Sequence, residues 1–154
     1  MTWPGPVGTI ASPEPAHRRP KRNPVPDLPT PTSPLDYDAL MHANLTQVFG
    51  ERDAQRRRAA IQRLYAPDAV LNEPQHAAAG HAAINDAVSA LLAGLPPDFV
   101  FEAVGPAQGH HGIGVLKWRG GPRGGPVAVT GMDVAHFQRG VIHSLFVFLN
   151  PPGA

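Results

Sequence analysis

The sequence predicts an α+β domain in which three N-terminal helices pack against a largely antiparallel sheet. Three observations lead there. Apolar residues recur at helical spacing in three segments before residue 95. After Pro96-Pro97 the pattern changes to the two-residue period of strands. Those strands follow one another through short or Gly/Pro-rich links, which suits neighbours that run antiparallel.

The first boundary falls near residue 34. Ten of the 19 prolines lie before Leu35, interleaved with Thr, Ser and basic residues. Such a segment lacks backbone donors and apolar surface to offset the entropy of ordering, so residues 1–33 read as a disordered Pro-rich tail and residues 34–152 as one domain. Helix one is expected to open at Ser33-Pro34-Leu35-Asp36, a capping Ser before Pro and an acid. It continues through Leu40, Met41, Leu45, Val48 and Phe49 and stops at Gly50. Helix two is capped by Asp53, places Ala60, Ile61, Leu64 and Tyr65 on one face and ends before Pro67. A short strand over 69–73 is stopped by Pro74. Helix three carries Ile84, Ala87, Val88, Leu91 and Leu92 as an apolar stripe between Gly80-His81 and Gly94. Strands are expected over 99–104, 109–119, 127–137 and 141–149, with Gly140 at positive φ in the last hairpin.

The strand over 127–137 contains an acid, Asp133, inside an apolar run. By strand alternation Val129, Gly131, Asp133, Ala135 and Phe137 share one face. If that face is the inner one, the carboxyl is buried. It must then be protonated or partnered, either as a structural hydrogen-bond acceptor or as a group that does chemistry.

Composition excludes several classes. The net charge is +1 and aromatics do not alternate with basic residues on any strand, so neither nucleic acid nor a membrane surface is an expected partner. The absence of cysteine rules out disulfides and thiolate metal sites. No spanning-length apolar run or secretory pattern occurs, and a cytoplasmic location is the default expectation. The eight histidines show no H-x-H or H-E-x-x-H spacing, so no metal is expected. Serines lack an elbow motif, and the glycine-rich segment 120–126 lacks the lysine and helix of a phosphate loop. His110 and His111 point to opposite faces if they lie on one strand. His110 then shares parity with Leu116 and Trp118, which makes it a candidate acid or base.

Ala66-Pro67-Asp68-Ala69-Val70-Leu71-Asn72-Glu73-Pro74, then Gly80 and Ala83-Ile84, resemble one known family. So do Gly131-Met132-Asp133-Val134-Ala135-His136-Phe137, Gly140-Val141-Ile142 and Leu145-Phe146-Val147-Phe148-Leu149. The likeness is to the SnoaL-like branch of the nuclear transport factor 2-like superfamily, which includes polyketide cyclases and is related to ketosteroid isomerase. It covers about residues 36–150. It implies a cone-shaped domain, a curved sheet wrapped around helices with an apolar pocket between, and pairing of two copies through the sheet. This fold serves both enzymes and non-catalytic binders.

Carried over residue by residue, the resemblance places Asp133 at the acid that donates to an oxyanion and Glu73 at the general base, which is an aspartate in the isomerase. Asn44 falls where the isomerase has a tyrosine donor. In ketosteroid isomerase two carboxyls with separated pKa values divide the acid and base roles. The expected catalytic set is thus Asp133, Glu73 and His110, with Asn44, Trp118, Phe137 and Phe148 binding a small apolar molecule. Two functions fit: a cofactor-independent isomerase or cyclase moving a proton on a small apolar carbonyl compound, or a non-catalytic ligand-binding or dimerisation module. Glu73 fits equally as a rim charge.

Overall fold

The computed structural model describes residues 34–150; the proline-rich segment expected to be a tail lies outside them. The first helix, α1 (Tyr37–Ala43), is capped by Asp36, whose side chain accepts the Ala39 N–H at 3.0 Å. The cap is therefore three residues later than the expected Ser33, which is outside the described residues. An acid at this position satisfies an orphan N–H and complements the positive helix end. At Asn44 the helix widens into a π-helical segment, Asn44–Phe49, closed by a bond from Gly50 N to Leu45 O at 2.9 Å. Gly50 is required there, because a Cβ would lie 2.8 Å from the Thr46 carbonyl oxygen.

Helix α2 (Ala54–Leu64) starts at the expected cap, Asp53, and buries Ala60, Ile61 and Leu64. It also buries Arg57, whose guanidinium donates to Asn85 Oδ1 at 2.7 Å, to Glu51 O at 2.6 Å and to Ser89 Oγ. Burial lowers the pKa of Arg57, and the Glu51 and Asp53 charges oppose that shift. Asn85 and Ser89 belong to α3 (His81–Ala93), so this cation clasps the two helices together. Tyr65 is not on the helix. It opens β1 (Tyr65–Glu73), turning the side chain from a helix face into the domain interior.

Strand β1 bulges between Tyr65 and Val70 where it runs parallel to the last strand, and Pro67, which has no N–H to offer a ladder, sits inside the irregularity. The chain then reverses across Pro74-Gln75 into β2 (His76–Ala79), with Glu73 opposite His76. This strand was not expected: His-Ala-Ala-Ala has neither β-branched residues nor alternation. His81, at the start of α3, places Nε2 2.9 Å from Tyr65 O and 3.0 Å from Ala66 O, tying that helix to the bulge.

The remaining strands are β3 (Phe99–Ala103), β4 (Gln108–His110), β5 (Ile113–Pro122), β6 (Val129–Gln138) and β7 (Val141–Asn150). They form one mixed, mostly antiparallel sheet in the order β2-β1-β7-β6-β5-β3, with β4 paired to β5 and only β1 and β7 parallel. The expected strand over 109–119 is in fact a hairpin, because His111 (φ 50°) and Gly112 (φ 83°) turn the chain back. Arg139 (φ 53°) and the expected Gly140 (φ 80°) do the same between β6 and β7.

Helices cover the inner face of the sheet. Met41, Leu45, Val48, Ile61, Leu64, Ile84 and Val88 meet Leu71, Leu116, Ala135, Ile142 and Leu145 in one core. Along β6 the residues Gly131, Asp133, Ala135 and Phe137 are buried, as the two-residue period requires. Gly131 lies opposite Trp118, and the indole crosses the space a side chain would fill. A Cβ on Gly131 would approach both the Phe148 carbonyl oxygen and Trp118 Cε2 to 2.6 Å. Gly131→Ala is expected to cost about 1–3 kcal/mol of stability in chemical denaturation, the usual range for overpacking a close-fitted site.

Candidate active site

A cavity of about 580 Å³ opens between the helices and the inner face of the sheet, within the range of small-molecule sites. Leu45, Phe49, Leu91, Phe101, Trp118 and Val147 make much of its apolar wall. Four polar side chains join them: Glu73, Gln75, His76 and Asp133. The two carboxyls singled out in the sequence thus face one cavity from β1 and β6, the two strands that flank β7.

Asp133 is 2 % exposed. Trp118 Nε1 donates to its Oδ1 at 2.8 Å, leaving Oδ2 as the atom that can carry a proton. Burial in this apolar setting pushes the Asp133 pKa up to about 7, against the opposing effect of the indole hydrogen bond. Desolvation dominates because a single neutral donor replaces the several water hydrogen bonds a carboxylate makes. Trp118 itself is held edge-on by Phe101 at 5.5 Å, and Phe101 by Phe99 at 5.3 Å.

Asn44 is fully buried at the point where the first helix widens. Its Oδ1 accepts the Tyr65 hydroxyl, and its Nδ2 has no hydrogen-bond partner among the described residues. The Tyr65 hydroxyl is pushed well above its usual pKa by burial, then by the Asp133 charge, with the Asn44 bond opposing. Asn44 and Tyr65 do not themselves line the cavity; they form a polar pair in the core beside it. The importance of Tyr65 escapes a sequence reading that ends helix two at Pro67. A proline two residues after a tyrosine is equally compatible with a strand bulge.

Glu73 ends β1 at the cavity mouth. Its carboxylate lies 2.5 Å from His76 Nε2, with the Glu73 side chain 15 % and the His76 side chain 65 % exposed. His76 is absent from the expected catalytic set, since its partner across the hairpin becomes visible only once β2 is known.

Besides Asn44, three expected site residues lie outside the cavity. His110 is exposed on β4 with Nδ1 3.0 Å from His111 Nδ1, because the turn at His111-Gly112 breaks its parity with Trp118. Phe137 is buried in the core against Tyr37, with ring centroids 5.7 Å apart, rather than in the cavity. Phe148 is half exposed on the outer sheet face, while its neighbours Val147 and Leu149 line the cavity. Among the described residues no three metal-ligating side chains converge, and no helix is long and apolar enough to cross a membrane.

The raised Asp133 pKa has a consequence for folding. A carboxyl with an ordinary value of 3.8 unfolded and about 7 folded favours the native state when protonated. Its contribution is complete below pH 4 and is lost as pH rises through about 7, on the order of 4 kcal/mol in all. Asp133→Asn is expected to remove this decline, so that urea denaturation of the variant shows a flatter stability profile between pH 5 and pH 8 than wild type.

The model of the SnoaL-like domain family matches residues 43–144. No match was found among curated proteins. Among solved structures, a protein from Agrobacterium tumefaciens proposed to be an isomerase of the SnoaL-like family is 23 % identical, with a TM-score of 0.68, covering 73 % of this chain and 95 % of that one. A proposed polyketide cyclase from Sinorhizobium meliloti is 17 % identical (TM-score 0.55, 71 % of this chain and 93 % of that one). A proposed ketosteroid isomerase from Kribbella flavida is 16 % identical (TM-score 0.56, 77 % and 83 %). These structural likenesses establish the fold. With the family match over most of the chain, and with an α+β architecture of helices against a curved sheet, the chain belongs to the SnoaL-like domain family.

Proposed function

We propose that the cavity moves a proton on a small, mostly apolar carbonyl compound without a cofactor. The observation that carries this reading is the placing of Glu73 and Asp133 on one apolar cavity in different surroundings. Glu73, next to the solvent-exposed His76, takes the proton from the carbon beside the carbonyl. Asp133, dry and bonded to Trp118, stays protonated and donates to the oxygen where enolate charge develops. A carboxyl kept neutral by burial is a stronger donor to an oxyanion than a water molecule, because it is fixed in place before charge appears. The apolar wall favours a ring or chain with few polar substituents.

We also propose that a second copy of the chain covers the outer face of the sheet. On the outer sheet face Met132 lies opposite Phe148 and Val134 opposite Phe146, which leaves an apolar strip on β6 and β7 with both phenylalanines well exposed. Burying such a strip against its own symmetry copy suits an isologous dimer. Phe148→Asp is expected to convert a species of twice the chain mass to one of single mass in sedimentation. A wild-type monomer at micromolar concentration ends this part of the proposal.

The catalytic reading is tested with a cyclic β,γ-unsaturated ketone, whose conversion to the conjugated enone is read by ultraviolet absorbance. Glu73→Gln is expected to lower kcat/KM by about 100-fold or more. The wild-type kcat/KM is expected to fall as pH rises through about 7, where Asp133 loses its proton, and Asp133→Asn is expected to lack that limb. Tight binding of the ketone with no conversion would instead favour a binding module.

A further inference from the structure

We propose that His76 is the proton exit of this site, a positioning and relay residue that carries the proton between Glu73 and bulk water. The inference rests on Glu73 as the base and adds the route by which it is recharged. Glu73 ends β1 and His76 begins β2, paired across the two-residue turn Pro74-Gln75, so the hairpin itself holds the two side chains together. His76 Nε2 is 2.5 Å from Glu73 Oε2. The pair spans an interface: the Glu73 carboxylate is only 15 % exposed and lines the cavity, whereas the imidazole is 65 % exposed. Both side chains line the cavity mouth together with Pro74 and Gln75.

The chemistry follows from this placing. A carboxyl that has taken a proton inside an apolar cavity must return it to the substrate or lose it outward. Imidazole can accept a proton on one ring nitrogen and release one from the other near neutral pH. In the forward step the substrate C–H bond breaks, its electron pair enters the dienolate, and the proton goes to Glu73. The Glu73 proton passes to His76 Nε2, and His76 gives one up to water. A solvent proton returns along the same path to the γ-carbon, so nothing is consumed in the net isomerisation. Asp133 is the other titratable side chain lining the cavity, and it is buried and held by the Trp118 indole rather than by a solvent-exposed partner. The cavity therefore divides its two acids: one tied to solvent through an imidazole, one sealed from it.

The relay predicts where the product's new hydrogen comes from. The cyclic β,γ-unsaturated ketone is converted in deuterium oxide, and deuterium at the γ-carbon of the enone is read by mass spectrometry. Wild type is expected to incorporate solvent deuterium extensively. His76→Gln, an exposed substitution expected to leave the thermal midpoint unchanged, is expected to lower incorporation by about tenfold as the same proton is handed back. Free imidazole in the buffer restores incorporation to His76→Gly. Unchanged deuterium content in His76→Gln, with turnover still abolished by Glu73→Gln, would overturn the relay and leave Glu73 as base. Undiminished turnover in Glu73→Gln, or no conversion by wild type, would overturn the base assignment and the relay with it.

Discussion

The Trp118 indole donates to Asp133 across the inner face of the sheet, and much of the site depends on this contact. It requires a residue with no side chain at position 131, since the indole occupies the space above that backbone. It requires β5 and β6 in the register that sets Trp118 opposite Gly131 and Leu116 opposite Asp133. It also requires Phe101 on β3 to hold the ring edge-on from the far side. Given these, the carboxyl is buried with one neutral hydrogen bond, which is too little to keep it charged near neutral pH. The acid that looks anomalous inside an apolar strand is thus partnered enough to be placed and deprived enough to stay protonated.

The second acid experiences the opposite condition. Glu73 stands at the end of a strand, where the chain turns and the cavity meets solvent, with an imidazole against it. One sheet therefore sets two carboxyls in different surroundings through position alone. The same economy is seen between the helices: the buried Arg57 fastens α2 to α3, whose Ala87, Ala90 and Leu91 form a cavity wall.

Much of this was legible in the sequence, wherever a periodic pattern ran long enough. Alternation along β6 grouped Asp133 with Gly131, Ala135 and Phe137 on one face, which the structure buries, and helical spacing with Asp53 and Gly94 bounded α2 and α3 closely. Legibility failed at turns. His111-Gly112 adopts two positive φ values without the Asn-Gly or Asp-Gly signature of a two-residue hairpin, so a hairpin reads as one strand and His110 takes the wrong face. The alanine-rich β2 carries no strand signal, which hides the partnership of His76 and Glu73. Phe148 was displaced outward by the pleat, and its apolar character alone could not say which face of β7 it takes. Tyr65 needed the bulge at Pro67 to be known before its hydroxyl could be matched to Asn44.

With burial pushing its pKa up to about 7, Asp133 keeps its proton in the folded protein as pH rises toward neutrality. Its side-chain carboxyl carbon, followed by carbon-13 NMR across a pH titration with Asp133→Asn to assign the resonance, reports the protonation state directly. The expected titration midpoint lies near pH 7. A carboxyl that titrates near the ordinary aspartate value of 3.8 would contradict it, leaving Asp133 an ionised structural acceptor for Trp118.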